Sequence, residues 1–271
     1  MLTACTQAGD GGGGSRPPGS AKGASGSPSA SAEAVPPAAP TKEADPARVP
    51  RTASAATALV RAVIADPELV GAGAVRATPY ESDPGSWAVL GADCAWQRER
   101  LPRDVLATLT RYFEVPAKKG QKGQEATRLS ATVTVHRTTL DAAWEQAGML
   151  EEAMGCPQQT LSADERLTGL ASSAFGWGEN SNFYADDVLR EGGECRRGTG
   201  SGSRPYHWTQ ATFGPVVVSV SSCGEQAGNE GQAVDPADSL TLMLNRAEDK
   251  IGRPVGRASG TATPSAGEGG A

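Results

Sequence analysis

Leu129 to Cys156 constrains this chain more than any other stretch: it reads as a strand that feeds a helix and stops at a cysteine. Leu129, Ala131, Val133 and Val135 alternate with Ser130, Thr132, Thr134 and His136. A period of two puts these sets on opposite faces of a strand, one facing a core and the other polar. Thr138 or Thr139 is placed to cap a helix, with Asp141 near its positive end. Leu140, Ala143, Trp144, Ala147, Leu150 and Met154 recur at three- and four-residue steps and predict one buried stripe. Gly155 and Pro157 stop the helix around Cys156. The pattern is that of a core unit, not of a reactive site.

Around this unit the chain alternates helices and strands. Residues 52–65 predict a helix with Ala56, Leu59, Val60, Val63 and Ile64 inward, ended by Asp66-Pro67. Gly71 to Tyr80 reads as a weak strand, Asp83-Pro84-Gly85 as a turn, and Trp87–Leu90 and Cys94–Arg98 as short strands or one bent strand. Val105 to Val115 alternates and forms a hairpin with the strand from Leu129, across a Gly- and Lys-rich tip at 118–124. Leu161 to Leu170 reads as a loop with one helical turn, Phe183 to Arg190 as a strand, and Gly192-Gly193 as a turn. Tyr206–Phe213 and Val216–Ser222 are consecutive strands around Gly214-Pro215. Asp235 and Pro236 open a last helix, Leu240, Met243, Leu244, Ala247 and Ile251 form its inner stripe, and Gly252 and Pro254 close it. This order and the hairpin-like spacing predict the α+β class: a mainly antiparallel sheet with about three helices packed against it, in one domain.

The ends differ in kind. Residues 6–50 are almost wholly Gly, Ser, Pro and Ala with scattered charges, and 254–271 have the same character. Such segments bury too little apolar surface to offset their ordering entropy. They predict a disordered tether and tail around a domain at 52–253. Leu2-Thr3-Ala4-Cys5 resembles the lipobox of bacterial lipoproteins, in which small residues precede a cysteine that receives acyl chains. Residues 1–5 then read as a lipobox remnant with Cys5 as the lipidation site, and the tether as the spacer that holds the domain off a membrane. A leader of this kind needs a basic start and an apolar core, whereas four residues precede Cys5, so the expectation includes a start placed too late or a trimmed chain.

Composition excludes some partners. The net charge is −6, and the one Lys cluster, Lys118, Lys119 and Lys122, sits in a Gly-rich turn. Binding to a nucleic-acid backbone needs clustered basic residues, so no nucleic acid is expected. No apolar run approaches the roughly 20 residues of a membrane span.

Cys94, Cys156, Cys195 and Cys223 remain once Cys5 is set aside. None lies in a CxxC pair and the histidines are His136 and His207, so neither a metal nor a cofactor is expected. An even count in an exported domain predicts two disulfides with three possible connectivities, of which we favour Cys156 with Cys195 and Cys94 with Cys223. No GxSxG or GxxxxGK motif is present. His136, His207, Ser172-Ser173 and the acids Glu179, Asp186 and Asp187 do not form a recognisable catalytic set, and no catalytic residue is assigned. The segment from Phe175 to Tyr184 mixes aromatics, glycines and amides, which supply stacking surface, close approach and hydrogen bonds. Phe175, Trp177, Asn180, Asn182 and Tyr184 are the ligand-binding candidates, for an unknown small ligand or a cell-wall fragment.

The layout resembles the PknH-like extracellular sensor domains and related actinobacterial lipoproteins of the Streptomyces kind. The strand Ala131-Thr132-Val133-Thr134-Val135, the helix through Trp144 to Cys156-Pro157, Cys195-Arg196-Arg197, and Val216-Val217-Val218-Ser219-Val220 before Cys223 carry it. Gly214-Pro215 stands where that family has an Asn. The resemblance implies a disulfide-linked α+β domain with a cleft, displayed outside the membrane, and carries over no catalytic residue. The resulting expectation is a lipid-anchored, extracytoplasmic binding or sensor-like protein without catalysis of its own, on the outer face of the cell membrane. The alternatives are a cell-envelope hydrolase with dispersed catalytic residues and a structural or protein-interaction lipoprotein.

Overall fold

The computed structural model describes residues 43–71, 73–117, 125–198, 202–224 and 236–253. They form, in chain order, α1 (Ala53–Val63), α2 (Pro67–Val70), β1 (Val75–Glu81), β2 (Ser86–Leu90), β3 (Trp96–Arg100), β4 (Val105–Val115), β5 (Thr127–His136), α3 (Thr139–Gly155), β6 (Gln159–Ser162), β7 (Glu165–Gly176), β8 (Asp187–Arg197), β9 (Arg204–Phe213), β10 (Val216–Cys223) and α4 (Pro236–Ile251). Among the described residues this is the α+β domain that the spacing predicts, with α2 as one extra turn. Eight strands make one antiparallel sheet in the order β1-β4-β5-β10-β9-β8-β7-β6, and β2 and β3 pair as a separate hairpin.

The alternation in β5 divides the sheet into two unlike faces. Val133 lies opposite Leu109 of β4 and Val218 of β10, and Val218 opposite Ala211 of β9. This apolar row joins Leu59, Val60 and Val63 of α1 and Leu240, Met243, Leu244 and Ala247 of α4 in one core. On the reverse face Thr134 lies opposite Thr108, Thr132 opposite Thr110 and Ser219, and Ser219 opposite Gln210. α3 packs over this second face. Thr138 and Asp141 form a reciprocal capping box at its start.

The polar ground beneath α3 overturns its expected buried stripe. Leu140, Trp144 and Met154 are 66%, 67% and 74% exposed, while Ala142, Gln146 and Ala153 are buried. A helix lying on hydroxyls gains little by turning its large apolar residues inward, and small or polar ones meet the sheet instead. The stretch from Leu161 to Leu170, expected as a loop, belongs to β6 and β7. Gly192-Gly193, expected as a turn, runs through β8. The register between Thr168 and Ala171 slips there, and a Cβ on Gly193 would meet the Thr168 carbonyl oxygen at 2.9 Å.

Residues 43–50, expected in the tether, are packed onto the end of α4. Ala44 bridges Gly252, the Asp45 amide donates to the Ile251 carbonyl at 2.7 Å, and the Arg48 guanidinium donates to the carbonyls of Gly252 and Asp249. The last carbonyls of a helix lack intrahelical partners, and a cation there is doubly suited. Gly214 turns left-handed against this segment (φ 54°), and a Cβ there would run into Ala44. Cys5, the 118–124 loop, Asp235 and the tail lie outside the described residues.

Two disulfides form, but not with the favoured partners. β8 and β10 flank β9, so Cys195 and Cys223 reach the same end of one face with Cα atoms 5.9 Å apart and pair with each other. Cys94 sits in the turn of the β2–β3 hairpin, which meets β6 through the Thr160 amide and the Cys94 carbonyl, and pairs with Cys156 at the end of α3. Peptide mapping without reductant should recover Cys94–Cys156 and Cys195–Cys223. Replacing Cys94 and Cys156 together with Ser should lower the urea-unfolding free energy by about 2–4 kcal/mol, because that bridge closes a long loop.

Candidate functional site

The polar face of β5 is the floor of a cleft. Thr108 and Thr134 share a hydrogen bond of 2.9 Å between hydroxyls, as do Thr110 and Thr132, and Ser130 pairs with Ser221 at 2.8 Å. One wall is α3, presenting Trp144, Glu145, Gly148, Met149 and Glu152. The other is the β2–β3 hairpin with Trp87, Trp96 and Arg98, and Trp208 and Gln210 of β9 complete the lining. The cavity holds about 280 Å³, room for one sugar ring or an amino-acid-sized molecule, near the lower end of small-ligand pockets. Four of the five tryptophans of the chain line it. A wider opening of about 400 Å³, between residues 44–51 and Thr138, Thr139 and Pro215, is lined by small apolar residues with Arg51, Arg137, Thr138 and Thr139, and holds no tryptophan.

Side-chain hydrogen bonds tie the walls to the floor. Trp96 donates its indole N–H to Gln159 at 2.8 Å, and Arg98 donates to the Tyr112 hydroxyl at 2.7 Å. His136, which ends β5, is 1% exposed, with the Trp87 ring edge-on to it at 6.3 Å. Its Nε2 lies 2.5 Å from the Glu145 carboxylate, whose other oxygen accepts from Gln210 Nε2 at 2.9 Å. This single carboxylate therefore joins α3 to β5 and β9.

A second carboxylate on the same helix has no such partners. Burial pushes Glu152 up to about 7, and the nearby charges of Glu145 and Glu191 add to the effect. Its Oε2 is buried without a hydrogen-bond partner. Glu191 is also raised by burial, against a hydrogen bond from Ser172. Gln210 is 1% exposed and its Oε1 has no partner either. The amide is oriented by the bond from its Nε2 to Glu145, since the reverse orientation would face oxygen to carboxylate.

The five binding candidates lie elsewhere, Phe175 near the end of β7 and the other four in the connection from β7 to β8, and none lines this cleft. Asn182 is 3% exposed and bonds to the carbonyls of Phe175 and Ala185, so it holds the loop together. Tyr184 packs on the main core. Asn180 has positive φ in the turn, and Trp177 meets the exposed Phe183 ring at 6.2 Å, edge to face. Phe175 has Arg190 over its ring. Asp186, raised by burial, accepts the Gly214 amide at 2.7 Å and so braces the β9–β10 turn, while His207 is exposed. Among the described residues no group of three or more His, Cys, Asp or Glu is arranged to hold a metal ion, and no helix is long and apolar enough to cross a membrane.

No protein-family model and no curated protein matches this chain. A solved structure of an uncharacterized Mycobacterium smegmatis protein, the Rv0999 ortholog, is 12% identical and aligns over 69% of this chain and 97% of that one. Its TM-score of 0.28 is too low for the likeness to assign a fold family or a function.

The elevated Glu152 makes stability depend on pH. Between its ordinary value of 4.5 and about 7 the folded chain holds a proton that the unfolded chain releases. The stabilisation is full below that window and is lost as pH rises through it. Urea midpoints should fall from pH 4.5 to 8, and Glu152→Gln should raise the midpoint at pH 8 while leaving that at pH 4.5 unchanged.

Proposed function

We infer that this chain is a lipid-anchored, extracytoplasmic binding protein of the sensor-like kind, without catalysis of its own, whose ligand sits in the tryptophan-lined cleft. The observation that carries the reading is the convergence of Trp87, Trp96, Trp144 and Trp208 with unpartnered side-chain oxygens in one ligand-sized cavity. Aromatic faces with a few directed polar groups are the usual make-up of a small-molecule site. The location rests on Leu2-Thr3-Ala4-Cys5, supported by two disulfides of the sort that persist in oxidising compartments. The resemblance to PknH-like sensor domains supports the same compartment and role. A cell-wall fragment fits the reading, since sugar rings stack on tryptophan and their hydroxyls donate to carboxylates.

Binding should be visible in the cleft's own fluorescence. Titration with a small-fragment digest of cell wall should change tryptophan emission in the wild type. Gly148 lines the cleft and a Cβ there meets nothing within 4 Å, so Gly148→Leu should fill the space and abolish the change without lowering the melting temperature. An unaltered titration in that variant would remove the cleft from consideration. For the anchor, metabolic labelling of the protein expressed from its own gene with a palmitate analogue should mark the wild type and not Cys5→Ala.

A cell-envelope hydrolase is the second reading, favoured because Glu145 and Glu152 share the cleft and one is held protonated near neutrality, as a general acid requires. Release of reducing ends from glycan strands, lost in Glu152→Gln, would favour it over binding alone.

A further inference from the structure

We propose that the cleft between α3, the β2–β3 hairpin and the hydroxyl face of the sheet takes a small organic ammonium, its charged nitrogen held by Glu152 and Gln210 and its body lying against tryptophan. The inference rests on the binding reading above and names the class of ligand.

Three observations lead to a cation. First, the unpartnered atoms on the lining are acceptors. Glu152 Oε2 and Gln210 Oε1 are buried and receive no hydrogen bond, and the Gln210 oxygen is fixed in place by the bond its amide nitrogen makes to Glu145. An ammonium group is all donor, with up to three N–H bonds and no lone pair to clash with these oxygens. Second, cationic partners are scarce around them. Glu145 on α3 and Glu191 on β8 both act on Glu152 with like charge, and among the described residues neither Glu152 nor Glu191 has an ion pair. The guanidinium on the lining, Arg98 of β3, is turned to the Tyr112 and Ser86 hydroxyls, and His136 of β5 is taken by Glu145. Third, the walls are tryptophan, the ring whose face attracts a cation most strongly, and Trp144 is two-thirds exposed where an entering molecule meets it. The volume of about 280 Å³ admits an amino sugar or a smaller primary amine, not a polymer chain.

The test uses the intact protein and tryptophan emission with three probes: ethanolamine, a primary amine that stays protonated from pH 6 to pH 8, glucosamine, and its neutral N-acetyl form. Ethanolamine should bind about tenfold more tightly at pH 8 than at pH 6, because Glu152 must be ionised to receive it. Glu152→Gln should abolish that pH dependence and weaken ethanolamine at pH 8 by at least the same factor. Gly148→Leu should abolish binding of every probe. At pH 6 glucosamine should bind and N-acetylglucosamine should bind more weakly. Tighter glucosamine than ethanolamine would make the natural source an amino sugar, and the reverse an acyclic primary amine, both within the proposal. N-acetylglucosamine binding as well as glucosamine, with no pH dependence, would overturn the ammonium assignment and leave the wall-fragment reading intact. Silence with all three probes but a response to wall fragments would overturn it as well, and silence with everything would overturn both.

Discussion

A hydroxyl buried without a partner costs about 1–3 kcal/mol, and the reverse face of this sheet carries rows of them under a helix. They are tolerated because the register lets them satisfy one another. Thr108 reaches Thr134, Thr110 reaches Thr132, and Ser130 reaches Ser221, each across one pair of strands. A slip of one residue in β5 would turn these side chains into the α1–α4 core and push Val133 and Val135 beneath α3. Core and cleft are thus opposite faces of a single alternation, and neither can shift without the other. The domain keeps a polar interior surface because the strands that carry it are locked by the valines behind.

A polar floor alone does not make a site; it needs walls held at a distance. The hairpin of β2 and β3 is outside the main sheet and has no ladder of its own to that sheet. Its position rests on Cys94–Cys156, the parallel bridge of Ala95 to Thr160, and the bonds from Trp96 and Arg98 to Gln159 and Tyr112. The disulfide joins the turn of one wall to the end of the other. Glu145 holds α3 down at His136 and Gln210. Cys195–Cys223 acts on different ground, binding the strand ends beyond Trp208, where Tyr206, Leu167 and Leu170 form a small second core.

How much of this was legible in the chain follows from the range over which each cause acts. β4, β5, β9, β10, α1 and α4 were readable because periodicity and turns are local, down to the Thr138 cap of α3. β7 was not, because Leu167 and Leu170 interrupt a run of small and polar residues, and two glycines in β8 imitate a turn that the bulge beside it makes unnecessary. The cysteine partners depended on which strands flank β9, and no spacing in the sequence contains strand order. The cleft draws on seven elements and has no contiguous motif, whereas Phe175 to Tyr184 is contiguous and therefore has the form of a motif. One usable signal was present: Trp87, Trp96 and Trp208, outside any helical apolar stripe, together with threonines on the non-core side of β4 and β5.

The exposed stripe on α3 and the empty space below it have one origin. A helix whose Leu140, Trp144 and Met154 turned inward would displace everything from the hydroxyl face and leave those hydroxyls no room for any other molecule. This helix meets the sheet through Ala142, Gln146 and Ala153, and lines the cleft with Gly148, the smallest residue available. Glycine within a helix costs about 0.5–1 kcal/mol relative to alanine, so its place on the cleft lining runs against helix stability. Glu152 runs against it too, since burial beside Glu145 and Glu191 raises its proton affinity instead of satisfying its charge. Both penalties fall on the same face of the same helix, around the same cavity. A sheet and helix selected for packing alone would carry neither. Their coincidence with the tryptophans is what a site requires and a core does not.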